Sequence, residues 1–452
     1  MTNQAQQLSL FDDQPFEEKP AEVKPTEVEP AEVKPTEVKP TEVEPAEQEP
    51  AKEEVEPVVE EEPVVEEKKP IVEEIPLIFE EEPAKEVEPI VEEEEPAIAE
   101  EPAPAPSSRI AIVILNWNGA TMLEHYLPGI LEHSKGAEVI VADNASTDDS
   151  VKMLDRDFPD VRVIALSRNW GYAGGYNQAF KVIETTNERE GKPSPEYYLL
   201  LNSDVRVEEG WLEPLVEYMD QHQEVAACQP KILSDVFPTR FEYAGACGGF
   251  LDKYGYPYCR GRIFNTVETD EGQYNNVQEV LWASGACMMI RSQDYWNAGT
   301  LDRKFFAHQE EIDLCWRLNI LGRKVVCIPQ SKVYHLGGGT LPKGNPVKTY
   351  LNFRNNLTML YKNLPESELN HVMKVRLWLD CIAALKELFT GRFGDFKAII
   401  RARKDFQKRK AEYAPVRRQI QELRQSNHDQ HVSQFSILQS YYLQRKKTFD
   451  KL

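Results

Sequence analysis

The chain has 452 residues, a net charge of −24 and seven cysteines. The cysteines are scattered and lack Cys-x-x-Cys spacing, which argues against a disulfide or zinc framework and favours reduced thiols in a cytosolic protein. No run approaches the ~20 apolar residues that span a bilayer, and the acidic N-terminus has no signal-peptide core. We therefore expect a cytoplasmic protein.

Residues 1–106 differ from the rest of the chain in composition. They contain 34 acidic and 8 basic residues, whereas the remainder contains 42 acidic and 44 basic residues. Six tandem pentads fill residues 21–50, and irregular Glu/Val/Pro sequence continues to about residue 106. Proline at every fifth position blocks helices and sheet ladders, and like charges repel. The sequence predicts a disordered, partly polyproline-II tail with a spacing role or a docking role.

One apolar patch interrupts this tail at residues 7–11, which read Gln-Leu-Ser-Leu-Phe. The patch resembles the short peptide by which bacterial replication proteins dock on the sliding clamp. Five residues arise easily by chance, and we expect no nucleic-acid partner.

Four apolar runs follow the tail, and each ends in polar residues. They predict strands at 110–115, 138–141, 161–166 and 197–201, and a helical pattern from 120 to about 133 separates the first two. Strands alternating with helices predict a doubly wound, mostly parallel α/β sheet. Such sheets bind their ligands at the carboxyl edge.

The residues at this edge suit a nucleotide. Trp117 offers a face for stacking a pyrimidine, Asp143 can accept a hydrogen bond from a base or ribose, and Gly174 and Gly175 permit close approach to a diphosphate. Loop packing, turn capping and helix–strand packing are the respective structural alternatives. The dinucleotide fingerprint and the P-loop are both missing, which excludes dehydrogenases and P-loop kinases.

Asp204 and His335 are candidate ligands of a cation. Asp204 follows the fourth strand, where a carboxylate can hold Mg²⁺ or Mn²⁺ against a diphosphate. His335 comes after a predicted strand at 324–328 and before three glycines, which suits a metal or phosphate ligand. Taken singly, a turn-capping Asp and a structural His are the more common roles.

A helical pattern within residues 305–318 carries candidate acid–base groups. Helical spacing puts Glu310, Asp313 and Arg317 near one face, with apolar residues for packing. A carboxylate projecting into a cleft from this helix could deprotonate an acceptor hydroxyl. Acidic residues in a first turn also complement the helix dipole, which is the structural alternative.

Taken in order, these motifs resemble the family 2 glycosyltransferases of the GT-A fold, in the branch of bacterial rhamnosyl- and galactofuranosyltransferase-like enzymes. The resemblance covers roughly residues 108–362. The matching segments are 112–119, 141–148, 169–177, 201–204, 305–317 and 333–335. It implies a nucleotide-sugar donor, a divalent cation (Mg²⁺ or Mn²⁺) and a role in cell-wall or other cell-surface polysaccharide synthesis.

The resemblance also implies roles for individual residues. Asp204 and His335 would bind the cation, with Asn202 in place of the family's first aspartate. Glu311 would be the catalytic base where the family often has Asp, and Glu310 remains open because glutamate reaches one methylene further. The implied donor nucleotide-binding residues are Asn116, Trp117, Asn118, Asp143, Asn169, Gly174, Gly175 and Asn202.

The implied reaction moves a sugar from a UDP- or dTDP-linked donor to a hydroxyl of a glycan or lipid-linked acceptor. Direct displacement by an activated hydroxyl inverts the anomeric configuration, unlike the two-carboxylate retaining route. Two other readings stay open. One is a catalytically inactive scaffold of the same fold whose acidic tail recruits partners. The other is a sugar nucleotidylyltransferase, although the Gly-rich, basic opening expected after its first strand is missing.

The sequence thus predicts three regions: the tail at 1–106, a GT-A catalytic domain at 107–364 and a basic helical extension at 365–452. The extension has 18 Lys and Arg against 10 Asp and Glu. It could lie on the anionic inner leaflet of the inner membrane, pack on the catalytic domain, or attract the acidic tail. Its apolar stripe comprises Leu377, Leu379, Ile382, Leu385, Leu388 and Phe389.

Overall fold

The structure is a computed structural model that describes residues 108–337, 345–425 and 432–452. The acidic tail, the clamp-like peptide at 7–11 and the second and third glycines after His335 lie outside the described residues.

Strands and helices alternate over residues 110–202 and follow one another less regularly after that. The strands are β1 Ile110–Asn116, β2 Glu138–Asp143, β3 Arg162–Ala165, β4 Tyr197–Asn202, β5 Val205–Val207, β6 Val225–Ser234, β7 Gly249–Leu251, β8 Pro257–Cys259, β9 Arg262–Ile263, β10 Thr266–Val267, β11 Gln278–Val280, β12 Cys287–Arg291 and β13 Lys324–His335. The helices are α1 Ala120–His133, α2 Ser150–Asp157, α3 Gly171–Arg189, α4 Glu213–Gln221, α5 Ser292–Asn297, α6 Glu310–Ile320, α7 Pro346–Asn363, α8 Glu366–Phe389, α9 Phe393–Arg409 and α10 Ala414–Glu422.

A nine-stranded sheet forms the centre of the domain. Its order is β11-β13-β6-β12-β4-β1-β2-β3, and β5 pairs with β13. Strands β1 to β4, β6 and β13 run in one direction, while β12, β11 and β5 run antiparallel to their neighbours. The expected α/β fold, a mostly parallel sheet flanked by helices with a helical C-terminal region, is confirmed.

Strand β1 shows why the apolar runs predicted strands correctly. Its side chains alternate between two cores, with Ala111 and Val113 in one and Ile112 and Ile114 in the other. Helix α3 contributes to the first core and α1 to the second. A strand covered on both faces must be apolar at nearly every position, so it reads as a continuous run.

Strand β13 is longer than the sequence predicted. The expected end at Ile328 is wrong, because the strand continues to His335 through a register shift between Ile328 and Lys332. Gln330 and Lys332 face outward there, and the buried Ser331 donates a hydrogen bond to the carbonyl of Trp211 at 2.5 Å. The irregularity explains why this polar stretch does not end the strand.

Two further layers complete the domain. Strands β7 to β10 form a small antiparallel sheet in the order β10-β9-β8-β7. Helix α7 packs against α6 and against the C-terminal helices α8, α9 and α10. In the part of the chain that the structure describes, none of the helices has both the length and the apolarity required to cross a membrane.

Candidate active site

The ends of β1 and β2 bring Asn116 and Asp143 together. They are register partners in the sheet, and both are buried. The Asn116 amide donates to Asp143 Oδ1 at 3.0 Å and to Ser146 Oγ at 3.2 Å. Asp143 Oδ2 accepts a hydrogen bond from the backbone N–H of Ser146 at 2.9 Å. Asn116 therefore orients Asp143, while Asp143 also holds the turn after β2.

Asn118 fastens the turn after β1 to the turn after β2. Its backbone is left-handed, with φ 52°, and its N–H donates to Ser146 Oγ at 2.9 Å. Its side-chain oxygen accepts a hydrogen bond from the backbone N–H of Thr147 at 2.7 Å. Through these contacts Asn118 holds the two turns together at the carboxyl edge of the sheet. The neighbouring Trp117 is partly exposed.

The predicted glycine loop is the start of helix α3. Asn144 donates to Asn169 Oδ1 at 3.0 Å and accepts from the backbone N–H of Trp170 at 2.9 Å. Gly171 has φ 70°, and a Cβ there would lie 2.6 Å from the carbonyl oxygen of Phe306. Only glycine allows this approach, which brings the start of α3 against the loop before α6.

Gly174 and Gly175 lie near the start of α3 and are buried. A Cβ on Gly175 would lie 2.7 Å from the Leu115 side chain, and one on Gly174 would lie 3.0 Å from Trp170 Cβ. Both glycines therefore serve close helix packing. Their contact with a diphosphate stays a prediction.

Asp204 and His335 meet at the ends of β4 and β13. Strand β5 pairs His335 with Val205, which fixes their approach. His335 Nε2 lies 3.1 Å from Asp204 Oδ1 and 3.3 Å from Asn202 Nδ2. Asp204 Oδ2 accepts a hydrogen bond from the backbone N–H of Gly337 at 3.2 Å. The two predicted cation ligands, Asp204 and His335, therefore lie together, beside Asn202.

Burial opposes charge on both members of this pair, but their mutual attraction is stronger. The hydrogen bond and positive charge of His335 leave the pKa of Asp204 below its usual value. The carboxylates of Asp204 and Glu242 raise the pKa of His335 to about 10, against the effect of burial. The two carboxylates therefore stabilise positive charge at this place, whether a proton or a cation carries it.

Glu242 is a member of this site that the sequence did not reveal. Its Oε1 lies 3.6 Å from His335 Nδ1, and the carboxylate is buried. The backbone N–H of Ala244 donates to its other oxygen. Glu242 lies between β6 and β7 in a segment without a recognisable motif, so only the structure places it beside the imidazole.

The donor set fits Mg²⁺ or Mn²⁺. A carboxylate and an imidazole suit these cations, which usually take a few protein ligands and complete their shell with phosphate oxygens and water. Metal-binding histidines usually have a carboxylate or carbonyl at the other ring nitrogen, where Glu242 lies. Across residues 108–337, 345–425 and 432–452, no group of three or more His, Cys, Asp or Glu side chains is placed to hold a metal. A cation would therefore depend on the donor diphosphate for further ligands.

The loop before α6 has an unusual backbone. Phe306, His308 and Gln309 all have positive φ angles, at 66°, 72° and 75°. Each such residue costs roughly 1–3 kcal/mol, and such conformations persist where surrounding contacts impose them. We call residues 303–309 the base loop, because it leads directly into Glu310 and Glu311.

Helix α7 supplies the contacts that hold the base loop. The Asn355 amide nitrogen donates to the carbonyls of Phe305, Ala307 and His308 at 3.0, 2.9 and 2.7 Å. Asn356 donates to Gln309 Oε1 at 3.0 Å. These hydrogen bonds fix the backbone immediately before the two glutamates.

Glu310 and Glu311 form the first turn of α6. Glu310 is 4% exposed, and each glutamate has a buried Oε2 without a hydrogen-bond partner among the described residues. Burial raises the pKa of Glu311 to about 7, and burial with the neighbouring charge of Glu311 raises that of Glu310 well above its usual value. A carboxyl group that titrates near neutral pH suits a general base.

Asp313 and Arg317 belong to the core, although they share α6 with the glutamates. Asp313 accepts hydrogen bonds from Arg317 Nε at 3.0 Å, Lys362 Nζ at 2.8 Å and Asn363 Nδ2 at 2.8 Å. Lys362 also binds Asp302 at 2.8 Å. On the helix face predicted from spacing, Glu310 therefore belongs to the candidate site, whereas Asp313 and Arg317 have a structural role.

The sequence comparisons bear on the family of this domain. Residues 111–297 match the family described as Glycosyl transferase family 2. An N-acetylglucosaminyl-diphospho-decaprenol L-rhamnosyltransferase of Mycobacterium tuberculosis is 23% identical over 231 residues, covering 50% of this chain and 75% of its own. The O-antigen biosynthesis protein RfbC of Myxococcus xanthus is 28% identical over 200 residues, covering 44% of this chain and 15% of its own. Residues 111–297 therefore form a family 2 glycosyltransferase domain, as the sequence predicted, and the relatives of this chain include a rhamnosyltransferase.

Among solved structures, GalNAc-T7 with UDP, GalNAc and Mn²⁺ aligns with a TM-score of 0.46 and 14% identity. The alignment covers 68% of this chain and 58% of that chain. A TM-score this low adds no weight to the assignment, which depends on the sequence matches and the observed sheet.

Proposed function

We propose that this chain is an inverting, metal-dependent glycosyltransferase that moves a sugar from a UDP- or dTDP-linked donor to an acceptor hydroxyl. The observation that carries the proposal is the pair of buried carboxylate oxygens on Glu310 and Glu311, which have no partner within the described residues. Unpaired buried polar groups cost stability, and they are retained chiefly where function requires them. An inactive scaffold has no such requirement.

The donor would bind along the carboxyl edge of β1, β2 and β4. Trp117 would stack on the base, and Asp143, held by Asn116, would accept hydrogen bonds from the base or ribose. Asn118 and Asn169 would shape the same pocket through the turns that they fasten. A divalent cation held by Asp204 and His335, beside Asn202, would offset negative charge on the leaving nucleoside diphosphate.

Glu311 would activate the acceptor. Its carboxylate takes the proton of the acceptor hydroxyl while that oxygen bonds to the anomeric carbon, and the bond from this carbon to the diphosphate oxygen breaks. Attack opposite the leaving group inverts the configuration in one step. We prefer Glu311 to Glu310 because its side chain is less buried and its pKa lies near 7.

The relatives bear on the acceptor. One is named for transfer to a diphospho-decaprenol acceptor and another for O-antigen biosynthesis. We infer a glycan or lipid-linked acceptor in cell-surface polysaccharide synthesis. An enzyme with such an acceptor would work in the cytoplasm or as a peripheral protein at the cytoplasmic face of the inner membrane.

The test begins with the donor. Thermal-shift screening of nucleotide sugars with Mn²⁺ or Mg²⁺ should identify a stabilising donor, and that donor should then be hydrolysed slowly or transferred. Asp204→Asn and Glu311→Gln should lose turnover while staying folded. The exposed acids Asp160→Asn and Glu188→Gln serve as matched controls and should keep it.

The products separate the remaining readings. Release of a nucleoside diphosphate supports transfer of the sugar, whereas release of inorganic diphosphate indicates a nucleotidylyltransferase. Unchanged turnover in both site variants would overturn the site assignment. If the chain binds the donor but shows no turnover with any acceptor preparation, the result would favour the hypothesis of an inactive scaffold.

A further inference from the structure

Helix α8 buries charge on the side that faces the protein. Its buried residues are Leu369, Val372, Arg376, Asp380 and Ala384. Arg376 and Asp380 form an ion pair at 3.3 Å, and Arg403 of α9 also binds Asp380. A helix that packs on a globular domain normally turns an apolar side inward, so a buried ion pair in the middle of this inner side is unusual.

The outer side of α8 carries large apolar residues instead. Trp378 is 72% exposed, Ile382 62%, Leu385 48% and Phe389 84%. Spacings of four, three and four residues place these side chains in one row along the helix. Phe393, 59% exposed at the start of α9, follows that row. Single exposed apolar residues are ordinary, but a contiguous row marks an interaction surface.

We call this row, Trp378, Ile382, Leu385, Phe389 and Phe393, the α8 apolar face. The segment that carries it is basic: residues 371–410 contain 11 Lys and Arg against 4 Asp and Glu. Lys374 lies one helical turn before Trp378, and it is exposed, as is Lys397 on α9. Apolar and aromatic side chains within a basic border suit a surface with anionic head groups above hydrocarbon.

We propose that the α8 apolar face docks on an anionic lipid bilayer, with Trp378 and Phe389 inserted among the head groups. A second copy of this chain fits less well, because a symmetric contact through this face would bring the two basic borders together. An anionic bilayer offers hydrocarbon for the apolar side chains and negatively charged head groups for the basic residues. Amphipathic aromatic rings such as that of Trp favour this interfacial position.

The α8 apolar face is connected to the base loop. Arg376 on the inner side of α8 donates to Asn356 Oδ1, and Asn356 donates to Gln309 Oε1 at 3.0 Å. Gln309 directly precedes Glu310. The lipid-facing helix therefore lies two hydrogen bonds from the catalytic candidates, which suits an acceptor held in the bilayer. The link to an acceptor in the bilayer rests on the proposed function, whereas the docking of the helix on the bilayer does not.

Vesicle sedimentation of the full chain tests the docking. We expect binding to phosphatidylcholine vesicles with about 30% phosphatidylglycerol and much weaker binding to pure phosphatidylcholine. Trp378→Ser with Phe389→Ser should weaken binding at least tenfold. The matched control is Tyr442→Ser with Leu443→Ser, which removes two other exposed apolar residues and should bind as the parent chain does. Equal binding by parent and Trp378/Phe389 variant, or equal binding to both vesicle types, overturns the proposal.

Tryptophan fluorescence gives a direct reading of insertion. All seven tryptophans lie among the described residues, and Trp378 is the one whose side chain is largely exposed. Anionic vesicles should shift its emission to the blue, brominated lipids should quench it, and Trp378→Phe should remove both effects while sedimentation persists. Quenching that is unchanged in Trp378→Phe contradicts the proposal. Neither vesicle experiment contains a sugar donor or acceptor, so its outcome does not depend on whether the proposed glycosyltransferase activity is correct.

Discussion

The two ends of helix α6 differ in how their charged groups are satisfied. At its start, Glu310 and Glu311 have buried oxygens without partners among the described residues, and three residues of the preceding base loop adopt positive φ angles. One turn further on, Asp313 is paired with Arg317 and Lys362 in a compact ionic cluster. The start of α6 therefore carries groups that cost folding stability, whereas the ionic cluster one turn later stabilises the helix in its place. This is the arrangement expected where a rigid scaffold holds a strained reactive site.

Removing the base should have the largest effect. Glu311→Gln keeps the shape of the side chain but cannot accept a proton, and general-base catalysis contributes about 10²–10⁴-fold. We expect kcat to fall by about that factor with little change in donor affinity, measured by nucleoside diphosphate release and by donor titration. Glu310→Gln should cost less. A larger loss in Glu310→Gln than in Glu311→Gln would reverse the assignment.

Breaking the anchoring end should affect stability rather than chemistry. Lys362→Met leaves Asp302 and Asp313 buried without their shared cation, and breaking a buried ion pair costs about 3–5 kcal/mol. We expect the free energy of unfolding to fall by that amount in denaturant titrations. At a temperature where the variant is still folded, kcat should stay within a few-fold of the parent value. A selective loss of kcat in a stable variant would show that the two ends of α6 are not separate in function.

Glu242→Gln tests the carboxylate behind His335. Its loss should weaken cation binding about 10–100-fold, since partners of metal-binding histidines have effects of that size. The measurement is the Mn²⁺ concentration that gives half-maximal turnover, with the exposed Glu188→Gln as the control. Saturating Mn²⁺ should restore most of kcat. An unchanged Mn²⁺ requirement would leave Glu242 as a structural residue alone.

The sequence predicted the features that depend on local pattern. Strands β1 and β4 were visible because burial on both faces makes every position apolar, and helix α1 was visible by its periodicity. Glu242 was missed because its role depends on the fold, which brings a loop without a motif to the end of β13. The α8 stripe was visible as apolar, but helical spacing does not tell which side faces the protein. The buried Arg376–Asp380 pair decides that, and only the structure shows it.

The smallest predicted effect is the pH dependence of stability that Glu311 confers. Its pKa rises from 4.5 in a free side chain to about 7 in the folded chain because burial disfavours the charged form. The folded state therefore binds more protons than the unfolded state between these values, so stability falls as pH rises through this window. Glu311→Gln should equal the parent chain below pH 4.5 and exceed it above pH 7 by on the order of 1–3 kcal/mol. Denaturant titrations at several pH values measure this difference, and Glu188→Gln, an exposed glutamate, should show none. In the parent enzyme, kcat should fall below about pH 7 as Glu311 takes up its proton. If the stability gain were instead greatest at acid pH, the buried state of Glu311 and its role as the base would both be contradicted.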